Sequence, residues 1–554
     1  MPSSSSSGVT GAASSAIIQH DGARRRVIVL GCAASFIVTF LIRRYRSKDT
    51  DSNRKGSGVF KSTSERTFRQ YPQNYPTVRP RNGGASGGIG QHTGTAVAAA
   101  GGVGPLSSTG LNGTLDFSHP DGPNIGPASD PAWLENHDQQ GIPAKTDLLH
   151  TGHLKGGKLL ICVIGLPARG KTYIARKVAR YLRWINYRTR VFCLARYRQD
   201  KYGHKQAAEF FDTSNEEYTS SRMELLACAL EDSVGYLNRG GEVAILDGTN
   251  VTEARRRLIR ERMQREDGYE ILWIESICED PQVIAHNVAQ LREASPDYVA
   301  DHDFERRIAF YKIDYVHVRE DEGSYAKVFD AGRKLELNRI HGFLPTKVIS
   351  FLMNLHIMPR PVYFTRHGES IFNIHGLIGG DSSLSPKGEK FADLLSLFIH
   401  NETELPHDQL NVWTSTMKRA RATAAKIKCA RYVEWRSLRE IEVGVCDGLS
   451  YEQMKENFPH EYKNREQDKL RYRYPRGESY MDIISRLESV IFELERQQGP
   501  VVIVAHQAVL RCLYAYFLDL PPEEVPYLSI PLHTVIKVTP KAYGCAEKRY
   551  KMMV

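Results

Sequence analysis

The segment 165–172 has the residue types and spacing of a phosphate-binding loop. It reads GLPARGKT, which fits GxxxxGK[ST], and it lies between the apolar run LLICVIG at 159–165 and a helical pattern that begins near Thr172. Glycines let backbone amides approach phosphates, Lys171 supplies a positive charge, and the Thr172 hydroxyl can reach magnesium. The strand before the motif and the helix after it favour a nucleotide-phosphate site over a chance match.

A carboxylate and several arginines in the same half could serve phosphoryl transfer. Asp247 ends the apolar run EVAILD at 242–247. At the carboxyl end of a second parallel strand it can meet a metal ion or accept a proton from a hydroxyl, although it could also cap a helix. Phosphoryl transfer needs charge neutralisation, which gives weight to arginines that are individually typical of a solvated surface. These arginines are Arg198, Arg222, Arg255 and Arg307.

Two histidines that follow predicted strands indicate a second site. His367 follows PVYFT within the string RHGE at 366–369, and His506 follows VVIVA. Neutral imidazole can attack phosphorus, and Arg366 and Arg419 would complete a cage around a phosphoryl group. Glu440 is the candidate proton donor, because an alkoxide leaves badly without one. The string RHG alone is weak evidence, but together these residues favour a phosphohistidine phosphatase that needs no metal.

Composition and charge exclude several classes of protein. With 554 residues, 41% hydrophobic and 25% charged, the chain is neither a polytopic membrane protein nor wholly disordered. The nine cysteines show no CxxC spacing, which indicates a reducing compartment. The net charge of +10 lies in residues 1–81, which hold 14 Lys/Arg and 4 Asp/Glu, so residues 82–554 balance at zero. This balance argues against a nucleic-acid partner.

The first 155 residues differ in kind from the rest. An uncharged run of 16 residues at 27–42 lies between RRR at 24–26 and RRYR at 43–46. It is a candidate membrane anchor, although such a helix reaches about 24 Å against a hydrocarbon core of about 30 Å. A targeting segment and an apolar tract of a disordered tail are the alternatives. Residues 83–126 include 13 glycines and are expected to form a flexible linker.

From about residue 155, short apolar runs alternate with longer amphipathic segments. Runs at 159–165, 189–195, 242–247 and 269–276 form one series, and runs at 361–368 and 501–507 belong to a second. This alternation is typical of parallel sheets covered by helices. The sequence therefore predicts an α/β fold with two tandem domains after a disordered N-terminal extension. The expected bounds are 1–155 for the extension, 156–358 for the first domain and 359–554 for the second.

Several strings resemble the bifunctional 6-phosphofructo-2-kinase/fructose-2,6-bisphosphatase family over residues 157–550. They include GLPARGKTYIARK, ILDGTNVTEARRR, TRHGESIFNIHGLIGGDSSLS, REQDKLRYRYPRGESY and HQAVLRCLYAYFLD. The resemblance implies a P-loop kinase domain with a parallel sheet, followed by a phosphoglycerate-mutase-like histidine phosphatase domain. It also implies that the chain makes and hydrolyses fructose 2,6-bisphosphate, with ATP and Mg²⁺ for the kinase half and no cofactor for the phosphatase half.

In the kinase half, the resemblance implies roles that spacing alone does not select. Asp247 and Cys278 would be catalytic, and Thr172 and Asp247 would hold Mg²⁺. The nucleotide would be bound by Gly165, Leu166, Pro167, Ala168, Arg169, Gly170, Lys171, Thr172, Tyr173, Asn287 and Arg292. Fructose 6-phosphate would be bound by Arg198, Arg222, Thr249, Arg255, Arg307 and Tyr311.

In the phosphatase half, the resemblance assigns His367 as the residue that is phosphorylated and Glu440 as the proton donor. Arg366 and His506 would complete the catalytic group. Fructose 2,6-bisphosphate would be bound by Arg366, Asn373, Gly379, Arg419, Tyr451, Arg465, Lys469, Tyr480, Gln507 and Arg511. The family also implies a homodimer in the cytoplasm, whereas a membrane tether at the N-terminus would be atypical of it.

Departures from the family pattern keep two alternatives open. Arg292 stands where the family has lysine, and the segment between Tyr298 and Phe304 is about six residues shorter than the family's loop. These changes are compatible with a phosphatase-dominant enzyme whose kinase half is weak or degenerate. The other alternative is a nucleic-acid end-healing kinase/phosphatase, which would need a basic groove with stacking aromatic side chains.

Overall fold

The computed structural model describes residues 60–69 and 157–554, except residues 296, 298–299, 356–359, 403–406 and 542–543. The candidate anchor at 27–42 and the glycine-rich segment 83–126 therefore lie outside the described residues, as does the predicted joint between residues 358 and 359. Within the described ranges, none of the helices combines the length and the apolar composition that a membrane crossing requires.

The described part of the chain folds around two β-sheets. The elements up to residue 352 are β1 (Phe60–Arg69), β2 (Lys158–Ile164), α1 (Lys171–Trp184), β3 (Thr189–Cys193), α2 (Leu194–Tyr202), α3 (Glu216–Asn238), β4 (Val243–Asp247), α4 (Glu253–Met263), β5 (Tyr269–Ile277), α5 (Pro281–Ala294), α6 (Asp301–Ile313), β6 (Ser324–Phe329), β7 (Lys334–Asn338) and α7 (Phe343–Leu352). The later elements are β8 (Val362–Arg366), α8 (Ile371–Ile374), α9 (Pro386–Glu402), β9 (Asn411–Ser415), α10 (Lys418–Ala424), β10 (Arg431–Trp435), α11 (Tyr451–Asn457), α12 (Pro459–Gln467), α13 (Tyr480–Arg496), β11 (Val501–Ala505), α14 (Gln507–Leu518), β12 (Thr534–Lys541) and β13 (Gly544–Met552).

The first sheet carries the phosphate-binding loop. Its strand order is β3-β4-β2-β5-β6-β7, with β7 antiparallel and the other neighbours parallel. The central strands β2 and β4 are almost wholly buried, as their uninterrupted apolar sequences predict. Because the carboxyl ends of these two strands are adjacent, the loop after β2 and Asp247 at the end of β4 meet at one edge of the sheet.

The second sheet carries both strand-end histidines. Its order is β1-β13-β12-β8-β11-β9-β10, with β8, β11, β9 and β10 parallel and β12, β13 and β1 antiparallel. The carboxyl ends of β8, β11 and β9 therefore lie side by side and bring Arg366, His506 and Ser415 to one edge. Strand β1 pairs with β13 and falls within the predicted extension, where the sequence analysis predicted no strand.

Side-chain caps fix where two functionally important helices begin. The Asp280 carboxylate accepts from the N–H groups of Gln282 and Val283, and Pro281 occupies the first position of α5. Ser479 and Asp482 cap α13 reciprocally. These are residue types that favour helix N-termini, so the start of each helix is encoded locally.

The two sheets are joined through α1, which packs against α13 and α14. Glu495 on α13 is fully buried and accepts from Lys177 at 2.8 Å and from Arg180 at 3.1 Å, both on α1. The Trp184 indole N–H donates to the carbonyl oxygen of Cys512 on α14 at 2.9 Å. The helix that begins at the phosphate-binding loop is thus fixed to the helix that begins at the second histidine.

Candidate active sites

The phosphate-binding loop has a backbone conformation that requires its glycines. Gly165 has φ 141° and Gly170 has φ 83°, values that residues with side chains rarely adopt. A Cβ on Gly165 would lie 2.5 Å from the carbonyl oxygen of Ser276. The Gly165 N–H donates to the carbonyl oxygen of Thr249 at 3.0 Å, which ties the loop to the segment after Asp247.

Lys171, Thr172 and Asp247 form the polar centre of this site. Asp247 is 2% exposed, and the Thr172 hydroxyl donates to its Oδ1 at 3.3 Å. Lys171 Nζ donates to the carbonyl oxygen of Leu166 at 2.5 Å, within the loop itself. Burial lowers the pKa of Lys171 to about 8, an effect that Asp247 opposes and Arg169 reinforces. The Thr172 hydroxyl and the Asp247 carboxylate are hard oxygen donors of the kind that Mg²⁺ prefers.

A pocket beside the loop brings four of the predicted residues together. Arg169, Gly170, Cys278 and Asn287 line it together with the apolar side chains of Ile174, Val283, Val328 and Leu355. Asn287 Nδ2 donates to the carbonyl oxygen of Ala168 at 3.0 Å. Burial raises the pKa of the Cys278 thiol, which favours its neutral form. The pocket thus combines apolar walls with a few fixed polar groups.

Arg292 and Tyr173, which were also predicted to bind the nucleotide, do not line that pocket. Arg292 lies five residues after Asn287 on α5, and its half-exposed guanidinium pairs with Asp301. The ring of Tyr173 lies 5.4 Å from the ammonium of Lys177. Their predicted roles stay predictions.

Five of the six predicted sugar-phosphate residues, all except Thr249, gather in one cationic cluster. The guanidinium carbons of Arg198 and Arg307 lie 5.2 and 4.6 Å from the ring centroid of Phe211, and the Tyr311 ring lies 6.1 Å from the same centroid. Burial lowers the pKa of Arg255 to about 10, and its proximity to Tyr311 opposes that shift. The cluster is therefore rich in positive charge that is partly removed from water.

The arginines of this cluster are only partly satisfied by the protein. Arg198 pairs with Asp297, and Arg222 donates to the carbonyl oxygen of Asp212 at 3.1 Å. Arg255 Nη1 donates to the carbonyl oxygen of Arg222 at 3.4 Å. The Nε atoms of Arg198 and Arg255 are buried and have no hydrogen-bond partner among the described residues. Buried guanidinium donors without acceptors are suited to an anionic ligand.

In the second site, His367 is held with one ring nitrogen directed at an arginine. The histidine is 3% exposed, and its Nδ1–H donates to the carbonyl oxygen of Gly368 at 2.7 Å. Arg419 Nε donates to His367 Nε2 at 3.1 Å. Burial and the charge of Arg419 hold the pKa of His367 well below its ordinary value. The ring is therefore neutral, and the lone pair on Nε2 points toward the guanidinium where a phosphoryl group would be bound.

The remaining cage residues surround this imidazole. The rings of His367 and His506 are 5.1 Å apart, and His506 Nε2 lies 2.6 Å from Ser415 Oγ. Burial lowers the pKa of Arg366 to about 10, which the charge of Glu440 opposes. Arg366 Nε is buried without a partner among the residues that the structure describes.

Glu440 is fixed by the N-terminus of α14. Its Oε2 accepts from the Gln507 N–H at 3.0 Å, and its Oε1 accepts from the N–H groups of Ala508 and Ile441 at 3.1 and 3.0 Å. Backbone donors at a helix N-terminus hold a carboxyl group in one orientation. The position of Glu440 therefore depends on the helix that follows His506.

Basic and tyrosine side chains form a rim beside the cage. Arg465 Nη2 donates to the Tyr451 hydroxyl at 3.2 Å, and Lys469 pairs with Glu466 at 3.0 Å. Separately, Arg511 Nη1 donates to the Tyr480 hydroxyl at 2.9 Å, and burial raises the pKa of Tyr480 to about 12. Four of the rim residues predicted from the sequence thus form two hydrogen-bonded pairs, Tyr451 with Arg465 and Tyr480 with Arg511.

Two residues predicted to contact the bisphosphate have clear structural roles. Asn373 Oδ1 accepts from the Ser370 N–H at 3.0 Å and caps α8. Gly379 has φ 75°, and a Cβ there would lie 1.8 Å from Asp447 Oδ1, so the loop requires glycine. The neighbouring Gly380 carbonyl accepts from Arg419 Nη1 at 2.8 Å, which links this loop to the cage.

Comparison with known proteins identifies both halves. The family model for 6-phosphofructo-2-kinase matches residues 148–359, and the model for the histidine phosphatase superfamily (branch 1) matches residues 362–552. The chain is 46% identical over 396 residues to 6-phosphofructo-2-kinase/fructose-2,6-bisphosphatase 4 of Homo sapiens, a match covering 70% of this chain and 83% of that protein. The chain belongs to this bifunctional family.

Other members of the 6-phosphofructo-2-kinase/fructose-2,6-bisphosphatase family match the same region. The Arabidopsis thaliana enzyme is 45% identical over 406 residues, which are 71% of this chain and 54% of that protein. The chain thus spans about half the length of the plant relative. A Gallus gallus member is 46% identical over 396 residues, covering 70% of this chain and 83% of that protein. The family resemblance found in the sequence is confirmed, as are the two α/β domain types.

Sequence reasoning missed several residues that contact the family motifs. Asp297 pairs with Arg198, Ser415 contacts His506, and the Thr423 hydroxyl accepts from the Gly368 N–H at 2.9 Å. Ser415 ends β9, so the rule that parallel strands end at the active edge could have found it. No comparable signal marks Asp297 or Thr423, because neither ends a strand.

Proposed function

We propose that this chain makes fructose 2,6-bisphosphate at its first site and hydrolyses it at its second. The observation that carries this proposal is the presence of two separate sites for phosphoryl groups, at the carboxyl edges of two different sheets. One combines a phosphate-binding loop with a cluster of arginines, and the other places a neutral imidazole among arginines. The chain's family membership favours this function over the phosphatase-dominant and nucleic-acid alternatives.

At the first site, the chain transfers the γ-phosphoryl group of ATP to the 2-hydroxyl of fructose 6-phosphate. Lys171 leaves the Leu166 carbonyl oxygen and binds the outer phosphates, while the arginine cluster binds the sugar phosphate. Asp247 accepts the hydroxyl proton as the new O–P bond forms and ADP leaves. Charge neutralisation and positioning supply most of the rate enhancement in such reactions.

The kinase half requires Mg²⁺ with ATP in this proposal. Thr172 and Asp247 are the residues that would hold it, and their oxygen atoms lie 3.3 Å apart. The ion supplies charge neutralisation for the triphosphate when it is bound. The phosphatase half needs no cofactor, because Arg366 and Arg419 provide cations at the reacting group.

At the second site, hydrolysis proceeds in two balanced steps. His367 Nε2 attacks the 2-phosphate, the bond between phosphorus and the sugar oxygen breaks, and Glu440 gives that oxygen its proton. Water then attacks the phosphohistidine, Glu440 takes a proton from the water, and the N–P bond breaks to release phosphate. Arg366, Arg419 and His506 stabilise the charge that develops on the transferred group.

The full chain provides the direct test. Purified protein is given ATP, Mg²⁺ and fructose 6-phosphate, and the formation of fructose 2,6-bisphosphate is measured; phosphate release from fructose 2,6-bisphosphate is measured separately. Both activities are expected. Failure to form the bisphosphate with retained phosphate release would refute the kinase assignment and favour the phosphatase-dominant alternative.

We further propose a cytosolic homodimer whose N-terminal segment at 27–42 attaches it to a membrane. The family resemblance supports the dimer, and the basic residues that flank the apolar run support a cytosolic position for the catalytic domains. Sedimentation of the full chain tests the dimer. Fusion of residues 1–60 to a soluble reporter tests the tether, and recovery of the reporter wholly in the supernatant would reject it.

A further inference from the structure

Ser415 is the buried partner of the second histidine of the cage. It ends β9, which runs beside β11 with Thr414 opposite Val504, so it lies next to the point where β11 leads into His506. Both Ser415 and His506 are 0% exposed. Ser415 Oγ and His506 Nε2 are 2.6 Å apart, which is a short hydrogen bond between a hydroxyl and an imidazole.

The neighbouring backbone favours one direction for this hydrogen bond. The Met417 N–H donates to Ser415 Oγ at 3.3 Å and uses one acceptor lone pair of the hydroxyl. Within the described residues, His506 Nε2 is the acceptor available to the single hydroxyl proton. Donation from Ser415 leaves His506 Nε2 without a proton.

His506 is neutral, so the position of its one proton decides which ring nitrogen can donate a hydrogen bond. Burial lowers its pKa well below the ordinary value, and the facing groups His367, Arg419 on α10, Arg366 on β8 and Arg486 on α13 reinforce this. A neutral imidazole carries one N–H, so a free lone pair on Nε2 places the proton on Nδ1. Nδ1 is buried and has no partner among the described residues.

We propose that Ser415 is a positioning residue that holds His506 in the tautomer protonated on Nδ1, so that this N–H donates to a phosphoryl oxygen during transfer to His367. This inference rests on the proposed phosphatase function. In the opposite tautomer, a nitrogen lone pair would face an anionic oxygen. Because the donated bond strengthens as charge develops in the transition state, Ser415 acts on kcat more than on KM.

Three substitutions in the full-length protein separate this role from packing. Ser415→Ala removes the donor, Ser415→Thr keeps a hydroxyl, and Thr414→Val is the matched control. The Thr414 hydroxyl is also buried, but it donates to the carbonyl oxygen of Val504 at 2.9 Å rather than to a cage residue. We expect Ser415→Ala to lower the phosphatase kcat roughly 10- to 100-fold with little change in KM, as loss of an orienting partner typically does.

The other two variants and the kinase reaction complete the measurement. Ser415→Thr is expected to stay within about threefold of the unsubstituted kcat, because its hydroxyl can make the same bond. Thr414→Val is expected to leave kcat unchanged. The kinase rate of each variant reports whether the protein is folded.

Rescue by threonine and the split between kcat and KM are readouts that a purely structural role would not move. The expected pattern is a loss of kcat in Ser415→Ala with an unchanged KM, restored in Ser415→Thr. Equal kcat values for the unsubstituted protein and Ser415→Ala, or equal losses in Ser415→Ala and Ser415→Thr, would each overturn the role of Ser415. Absence of phosphatase activity in the unsubstituted protein would instead refute the proposed function.

Discussion

The two sites differ in how their charged side chains are held before substrate binds. In the kinase site, Lys171 donates to its own loop at Leu166, and Arg198 pairs with Asp297. In the phosphatase site, Arg419 donates directly to the nitrogen of His367 that would react. Both sets of cations must exchange protein acceptors for phosphate oxygens, but in the second site a cation already lies within hydrogen-bonding distance of the reacting atom. Catalysis at the second site therefore depends more on fixed geometry, and catalysis at the first depends more on rearrangement when substrates bind.

Replacing the nucleophile should separate the two sites most sharply. His367→Ala is expected to lower phosphate release from fructose 2,6-bisphosphate by more than roughly 1,000-fold, because it removes the group that is proposed to form the covalent intermediate. Kinase turnover should remain close to that of the unsubstituted chain, and Lys171→Met should show the reverse pattern. Loss of both activities in either variant would contradict separate sites.

Removing the acid should cost the phosphatase less than removing the nucleophile. Glu440→Gln keeps the shape of the side chain but cannot transfer a proton, so we expect a loss of roughly 100- to 10,000-fold in kcat. Exposed Glu442, two residues later, provides the matched control as Glu442→Gln. Equal rates for both variants in a phosphate-release assay would remove Glu440 from the mechanism.

The interface between the halves should be sensitive to the buried carboxylate of Glu495. Lys177, Arg180 and also Arg360, whose Nη2 lies 3.8 Å from Glu495 Oε2, pair with this carboxylate. Glu495→Gln leaves these three cations buried without a counter-charge, which should lower the free energy of unfolding by about 3–5 kcal/mol. Partly exposed Glu493 on the same helix pairs with Arg496, so Glu493→Gln should change that free energy by less than about 1 kcal/mol. Denaturant unfolding measures both, and similar values would show that the buried cluster contributes little.

The same carboxylate gives the interface an acid sensitivity. Burial alone would raise the pKa of Glu495, but Lys177, Arg180 and Arg360 hold it down to about 2. A lowered carboxyl pKa contributes stability that is complete above the unfolded pKa of about 4 and is lost as pH falls toward 2. The stability difference between the unsubstituted chain and Glu495→Gln should therefore narrow over that range.

The smallest expected effect is a pH dependence of the KM for ATP at the first site. Because the pKa of Lys171 is lowered to about 8, its positive charge is lost as pH rises through that value. The KM for ATP should rise roughly tenfold between pH 7 and pH 9, in proportion to the loss of the charged form. Lys171→Arg stays charged and should show a flat profile, even if its KM is higher throughout. If the KM for ATP of the unsubstituted chain did not change between pH 7 and pH 9, the predicted loss of charge on Lys171 would be wrong.

Local patterns predicted the elements that carry the chemistry but not the contacts that connect them. The apolar runs that form β2, β4 and β8 were sufficient to predict where these strands end, because a strand is recognised from the pattern of only a few consecutive residues. The two histidines were correctly expected at the ends of strands. Roles assigned from family resemblance, such as those of Arg292 and Tyr173, stay predictions.

The contacts that sequence could not predict join residues far apart in the chain. Lys177 and Glu495 are separated by 318 positions, and neither is marked by its neighbours as part of a buried ion cluster. A lysine on a helix and a glutamate on a helix usually face solvent, so local composition predicts the wrong environment for both. The hydrogen bond from Lys171 to Leu166 is likewise a property of tertiary packing and not of the loop motif.

The shared ion cluster has a practical consequence for anyone who wishes to take the enzyme apart. Cutting the chain between its halves would leave Glu495 and Arg360 on one fragment and the two cations Lys177 and Arg180 on the other, together with the apolar surface around Trp184. Chimeras with relatives should therefore exchange α1 and α13 as a matched set. Where a single half is wanted, replacing the charged members with neutral ones offers a better starting point than choosing a new place to truncate.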